Sequence, residues 1–298
     1  MDGKIYIAGG DYGSDGSTPP AFDGLFIYDV ATDTWSEGAT MPAGRGGLAV
    51  VCDEPHHKLY AVGGWPWTDV GHWYMGSDDL WSYDAGTDTW DDTLSRHPLP
   101  VAMTTASMVE DGMFLVAGGH IGEQEPSVRT FTYTIATDTW EESGELSDTR
   151  FEHAAVLLQP DRMCLLGGTT PDYYTLASWE CWRDGVWTPM PTDMPEPRYV
   201  FAAGSVGETT YVMGGFTSHA WDPARTHTTS VQRYPSSPLP DTGTDAPGDA
   251  PADSADDVPA DVPEDLPSDT STDAPEDTGT DTGDGPGDDG GCSCSMAR

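Results

Sequence analysis

The sequence predicts an all-β fold, built from about five copies of a four-stranded unit set around a common axis. Three observations lead there. Gly and Pro make up 35 and 25 of the 298 residues, well above background usage of about 12% for the pair, which favours turns over helical bundles. A Gly-Gly doublet closes an apolar run five times, and a Tyr–Trp pair at fixed spacing follows the first three doublets. Apolar runs of four to six residues bounded by turn residues are strands rather than helices.

The doublets end Ile5-Tyr6-Ile7-Ala8-Gly9-Gly10, Leu59-Tyr60-Ala61-Val62-Gly63-Gly64, Phe114-Leu115-Val116-Ala117-Gly118-Gly119, Cys164-Leu165-Leu166-Gly167-Gly168 and Tyr211-Val212-Met213-Gly214-Gly215. Their first glycines lie 54, 55, 49 and 47 residues apart. Tyr28 precedes Trp35, Tyr83 precedes Trp90 and Tyr133 precedes Trp140 by the same interval, and each Trp closes a Thr-Asp-Thr-Trp turn. The fourth copy, Trp182-Arg183-Asp184-Gly185-Val186-Trp187, is shorter but keeps its closing Trp. In the second unit the strands are expected at Gly47–Cys52, Lys58–Val62, Asp79–Tyr83 and Trp90–Asp92. Asp and Thr in the turn can bond nearby backbone N–H groups, and paired glycines let backbones approach where sheets converge.

A period near fifty residues with four strands per unit matches one class of repeat architecture. The Gly-Gly, Tyr and Trp pattern over nearly all of residues 1–235 resembles the kelch repeat. That resemblance implies a β-propeller: four-stranded blades around a central channel, with Tyr and Trp packed within and between blades. Trp35, Trp90, Trp140 and Trp187 are accordingly read as packing residues. The first blade should lack its innermost strand and the last its outermost, which leads us to expect further sequence before Met1.

Three segments follow: the propeller at 1–235, an acidic Asp/Pro/Thr/Gly-rich stalk at 236–291, and a Cys-containing stub at 292–298. The last aromatic residue is Tyr234, and residues 241–298 carry 17 acids and one Arg. Such a segment cannot bury enough apolar area to order itself, so it should be an extended, disordered spacer. The stub Gly290-Gly291-Cys292-Ser293-Cys294-Ser295 resembles the C-terminal sorting tags of myxobacterial-type envelope proteins. This implies display at a bacterial cell surface, with membrane anchoring through a further C-terminal segment that this chain does not contain. Cys164 and Cys181 fall on neighbouring strands of one blade, where a bond depends on their Cα separation. Cys52 reads as a buried small apolar residue.

A net charge of −39 repels phosphate backbones and excludes a nucleic-acid partner. No run of 18 apolar residues exists, so no membrane-spanning helix is expected. The expected partner is a glycan or a protein. In a four-stranded meander, the loops joining second to third strands emerge on one face: Asp11–Gly24, Trp65–Asp78, His120–Val128, Thr169–Ala177 and Phe216–Thr229. They carry Trp65, Trp67, Trp73, Tyr74, Tyr173, Tyr174 and Trp221, aromatic groups suited either to a contact surface or to packing the loops on one another. Arg45, Arg150 and Arg198 occupy equivalent slots at the mouth of the channel, with Met103 as the departure in the third unit. They read as an anion site or as pairs for acidic loop neighbours.

No catalytic residues, metal ligands or cofactor are assigned. The resemblance also brings in a copper oxidase acting on galactose and an isomerase acting on sialic acid, so a carbohydrate-active oxidase or isomerase is the alternative to a binding protein. The oxidase would need a Cys-linked Tyr and two His ligands. His72, His120, His219 and His227 share the loop face, where surface polar roles are expected for them.

Overall fold

The computed structural model describes residues 1–10, 21–66, 76–121, 125–159, 162–207, 209–218 and 226–235. All belong to one compact unit, Met1–Ser237. The stalk and the stub lie outside the described residues, as do Trp67, Trp73, Tyr74, Trp221, His72 and His219.

Of six antiparallel sheets among the described residues, five follow one another along the chain as the blades of a propeller, and the sixth is a small sheet of Val101–Ala102, His120–Ile121 and Glu125–Pro126. Blade 1 holds Lys4–Ala8, Leu25–Asp29 and Thr34–Gly38; blade 2 holds Ala49–Asp53, Lys58–Val62, Leu80–Asp84 and Thr89–Asp91. Blade 3 holds Thr105–Glu110, Met113–Ala117, Arg129–Thr134 and Thr139–Glu145. Blade 4 holds Ala154–Gln159, Arg162–Leu166, Trp179–Arg183 and Val186–Pro189, and blade 5 holds Ala202–Val206, Thr209–Met213 and Val231–Pro235. Blade 2 thus matches its expected strands to within two residues. Blade 1 starts with the second strand of the repeat, and the described part of blade 5 ends with the third.

The repeat residues explain how a blade holds its shape. Tyr28 pairs across the sheet with Trp35, Tyr83 with Trp90, Tyr133 with Trp140 and Trp182 with Trp187. Between them the chain turns through Asp33, Asp88 and Asp138, whose φ angles of 53°, 53° and 52° lie in the left-handed region that Asp tolerates. Each of these Asp carboxylates accepts the hydroxyl of its own Tyr, at 2.6, 2.8 and 2.6 Å. The preceding acid caps the turn: Asp84 accepts from the N–H groups of Gly86 and Thr87 at 2.9 and 3.1 Å. Those backbone donors hold its carboxyl below the ordinary range.

Blades join by a second set of contacts. The indole N–H of Trp90 reaches the Ala39 carbonyl of blade 1 at 2.8 Å, and Asp88 accepts the Ala39 N–H at 2.7 Å. Trp140 and Asp138 hold Ser95 the same way, at 2.9 and 2.8 Å. One linker residue is therefore gripped by both its backbone groups. Between the sheets lies the core. Ala49, Val51, Tyr60, Val62 and Leu80 of blade 2 meet Ala106, Phe114, Val116 and Tyr133 of blade 3. Toward the axis the doublets bond forward: the second glycines Gly10, Gly64, Gly119 and Gly168 donate to Arg45, Val101, Arg150 and Arg198 of the following blade, at 2.7 to 2.8 Å.

These bonds correct the alignment of the third unit. Val101, not Met103, takes the slot of Arg45, Arg150 and Arg198: Pro98, not Pro100, is the counterpart of Pro42 and Pro195, each three residues before its slot. Cys164 and Cys181 are opposite residues in blade 4, with Cα atoms 4.0 Å apart, and are joined by a disulfide. Cys52 is a free, half-buried thiol that burial pushes up from its ordinary pKa.

Candidate interaction surface

After the last four doublets the chain pairs once more with the start of a first strand, extending the sheets toward the loop face. These pairs are Gly46 with Trp65, Ala102 with His120, Phe151 with Thr169, and Tyr199 with Phe216. The side chains at these positions form a collar under the loops. Trp65 is buried over Gly47, where any Cβ would lie 2.3 Å from its ring. His120 is buried with its ring centroid 4.0 Å from that of Phe151, and burial pulls its pKa down to about 4. It is a neutral packing residue rather than the surface polar group expected from sequence. Phe216 stacks on Tyr199 at 5.1 Å and touches His227 at 4.4 Å.

Above this collar the blade 4 loop makes a tight turn. Thr170 N–H bonds to the Tyr174 carbonyl at 3.0 Å, Tyr173 N–H to the Thr170 carbonyl at 2.8 Å, and Tyr174 N–H to the Thr170 hydroxyl at 3.2 Å. Tyr173 has φ 61° and rests edge-on against Phe151 at 6.2 Å. That conformation closes the turn, whose tip is Pro171-Asp172, and leaves Tyr174 just after it, opposite Thr170 and 64% exposed. The neighbouring loop is tied in, since the Thr175 hydroxyl donates to the Ser218 carbonyl at 2.6 Å.

The three arginines point their chemistry inward. Arg150 is fully buried and donates to the Gly167 and Ser178 carbonyls, the Ser178 hydroxyl and the Glu180 carboxylate, at 3.0 to 3.3 Å. Arg198, equally buried, donates to the Gly214 carbonyl at 2.8 Å, to Glu196 at 2.9 Å and to the Ser230 hydroxyl at 2.6 Å. Arg45 pairs with Asp79 and lies over the Trp81 ring at 4.8 Å. In each case the guanidinium ties the beginning of the first strand to the beginning of the third. The paired role expected for them is the one their geometry shows.

A feature that residue types do not announce sits beside the axis. Gly47, Met103, Glu152 and Val200 occupy one repeat position and share φ angles of 57°, 51°, 55° and 49°. A β-branched residue such as Val200 rarely adopts that conformation. Two inter-blade bonds hold it, from Met103 N–H to the Gly47 carbonyl at 2.8 Å and from Val200 N–H to the Glu152 carbonyl at 3.0 Å. The side chains of Met103, Glu152 and Val200 are half-buried, and the Thr169 hydroxyl donates to Glu152 at 3.3 Å. Strain of this kind costs about 1–3 kcal/mol per residue and gathers at functional sites.

Comparison with known proteins agrees with this architecture. The family described as "KLHDC2/KLHL20/DRC7 Kelch-repeats domain" matches residues 1–215. Similar proteins include "Kelch-like protein terF" of Aspergillus terreus, 28% identical over 47% of this chain and 30% of its own length. "Alpha-scruin" of Limulus polyphemus is 28% identical over 53% of the chain and 17% of its own length. "Kelch-like protein 25" of Xenopus tropicalis is 27% identical over 80% of the chain and 40% of its own length. The chain thus spans less than half the length of each of these relatives. The solved "Structure of YjhT" superposes with a TM-score of 0.61 at 16% identity, over 76% of this chain and 81% of that one, and shares the fold. With its glycine doublets, Tyr–Trp pairs and five-bladed arrangement accounted for, the chain belongs to the kelch-repeat β-propeller proteins.

Proposed function

We propose that this chain is a non-catalytic recognition module that binds a protein ligand through its loop face. Kelch-repeat proteins generally mediate protein interactions. The observation that carries the reading is Tyr174, exposed at the closing pair of a turn with three internal hydrogen bonds. An aromatic ring held in place before binding contributes large contact area at small entropic cost. Trp67, Trp73, Tyr74 and Trp221, which belong to the same loop set, extend this surface in the proposal.

Display at a bacterial cell envelope on the acidic stalk completes the reading. The Cys164–Cys181 disulfide supports it, since such bonds persist in oxidising compartments. It also sets two of the cysteines aside from the Cys-linked Tyr that an oxidase of this fold would need.

Photo-crosslinking tests the loop face. A benzoylphenylalanine replacing Tyr174 should capture a specific protein partner, while the same group replacing Thr87, on the opposite face, should not. Equal capture from both positions would refute the assignment. Binding to a glycan array that Tyr174→Ala and Trp67→Ala weaken, without any protein crosslink, would replace the protein ligand by a carbohydrate.

A further inference from the structure

Blade 4 puts its disulfide where blades 2 and 3 put an apolar plug. Cys164 stands three residues before the first glycine of its doublet, as Tyr60 and Leu115 do in those blades. Both of the latter side chains point into the joint with the blade that follows. The Tyr60 ring lies 5.3 Å from Phe114 and 6.3 Å from Tyr133 of blade 3, and Leu115 meets Met163, Leu165 and Trp182 of blade 4. Side chains alternate along a strand, so Cys164, between Met163 and Leu165, faces the other way, toward blade 5. Cys181, directly across from it, shares that face.

Blade 5 covers the bond. Thr210 and Val212 stand at the positions of Phe114 and Val116, which receive Tyr60 in blade 3, and both are wholly buried. Tyr234, opposite Thr210, brings its ring 6.4 Å from that of Trp179, two residues before Cys181 on the same face of blade 4. Cys164 and Cys181 retain 0% and 1% of their surface. Thiol–disulfide exchange needs a thiolate to reach one of the sulfurs, and a thiol buried among apolar groups stays protonated and inert. In the finished fold, neither reduction nor oxidation of this pair has a route.

We propose that the Cys164–Cys181 bond is made on the unfinished chain, before blade 5 seats, and that blade 5 then seals its redox state. The reaction that must come first is disulfide exchange with an oxidant that itself carries a disulfide. One cysteine thiolate attacks the donor, forming a mixed disulfide and releasing one donor thiol. The second cysteine attacks the sulfur of the first and releases the other donor thiol, so the chain gives up two electrons and two protons. Chain order leaves an interval for this, because both cysteines precede Ala202, where blade 5 begins. The bond then records the compartment in which blade 4 folded, whatever redox poise the protein meets later. A chain that folds under reducing conditions seals in two thiols instead. This inference stands apart from the ligand of the loop face.

The full 298-residue chain tests this, with alkylation and peptide mass mapping to separate Cys164 and Cys181 from Cys52, Cys292 and Cys294. In native buffer, dithiothreitol should reduce the bond about a hundredfold or more slowly than in denaturant. Chain refolded in reductant and then given glutathione disulfide should keep both thiols while folded and join them once denatured. Val212→Ala, which loosens the seat of blade 5, should speed native-state reduction about tenfold. Val62→Ala, at the joint of blades 2 and 3, should leave that rate unchanged. Reduction of the folded protein at the denatured rate would overturn the proposal, as would ready oxidation of the folded, reduced chain. Equal acceleration by the two variants would also overturn it, by placing the seal in the whole fold rather than in blade 5. The reduction experiments start from oxidised protein, so they decide the matter if the reduced chain does not refold.

Discussion

Trp90 of blade 2 donates its indole N–H to the carbonyl of Ala39, 51 residues earlier in blade 1 and 2.8 Å away. The bond joins consecutive blades through a side chain that also stacks on Tyr83 at 5.2 Å. Trp90→Phe keeps most of the ring and removes the donor, so it should cost about 1 kcal/mol. Trp90→Ala also removes the packing and should cost about 3 kcal/mol. Urea unfolding midpoints at constant slope would separate the two contributions.

Gly63 and Gly112 both have positive φ, 66° and 73°, but only one is crowded. A Cβ at Gly63 would sit 2.3 Å from the Val101 carbonyl oxygen of the next blade, whereas one at Gly112 meets nothing within 4 Å. Gly112→Ala should cost about 1–2 kcal/mol, the left-handed penalty alone. Gly63→Ala must also push two blades apart and should cost about 4 kcal/mol or more. Thermal unfolding of the two variants side by side checks the difference.

The disulfide between Cys164 and Cys181 closes a short loop, with a sequence separation of 17. A bridge of that span stabilises by about 3 kcal/mol in the chain-entropy description. Reductant should lower the wild-type unfolding midpoint and leave that of the Cys164→Ala, Cys181→Ala double variant unchanged. A wild-type midpoint insensitive to complete reduction would contradict the expectation.

Three buried histidines give the fold an acid limit. Burial lowers the pKa of His97 and His120 to about 4, and burial together with the Arg150 charge lowers that of His153 to about 3. In the unfolded chain they titrate near 6.5, so between about 6.5 and 4 the unfolded state binds more protons. Their contribution is full above that window and is lost as pH falls through it, each by up to about 1.4 kcal/mol per pH unit. His153→Gln should flatten the dependence of stability on pH between 6 and 4, measured by urea unfolding at several pH values.

The repeat was legible because its signals are short-range: a glycine doublet at a strand end and a Tyr–Trp pair across one turn. The disulfide was half legible, since spacing put Cys164 and Cys181 on adjacent strands but left their register open. The arginine slot of the third unit was misaligned because two prolines, Pro98 and Pro100, stand before it and only Pro98 keeps the three-residue spacing of Pro42 and Pro195 to their slots. Trp65 looked like a loop aromatic and is buried, because its backbone pairs with Gly46 and Gly47 leaves room for its ring. The left-handed backbone at Met103, Glu152 and Val200 had no sequence signal, since none of these residue types favours it and inter-blade bonds impose it.

The forward direction of the doublet bonds bears on how the protein is made. Gly10, Gly64, Gly119 and Gly168 each donate to a carbonyl that lies further along the chain, in the blade that comes next. On the ribosome, a newly emerged blade thus waits for its successor before its hinge amide finds a partner. Maturation should advance as a wave that trails translation by one module, and a pause in synthesis would strand only the latest sheet half-finished.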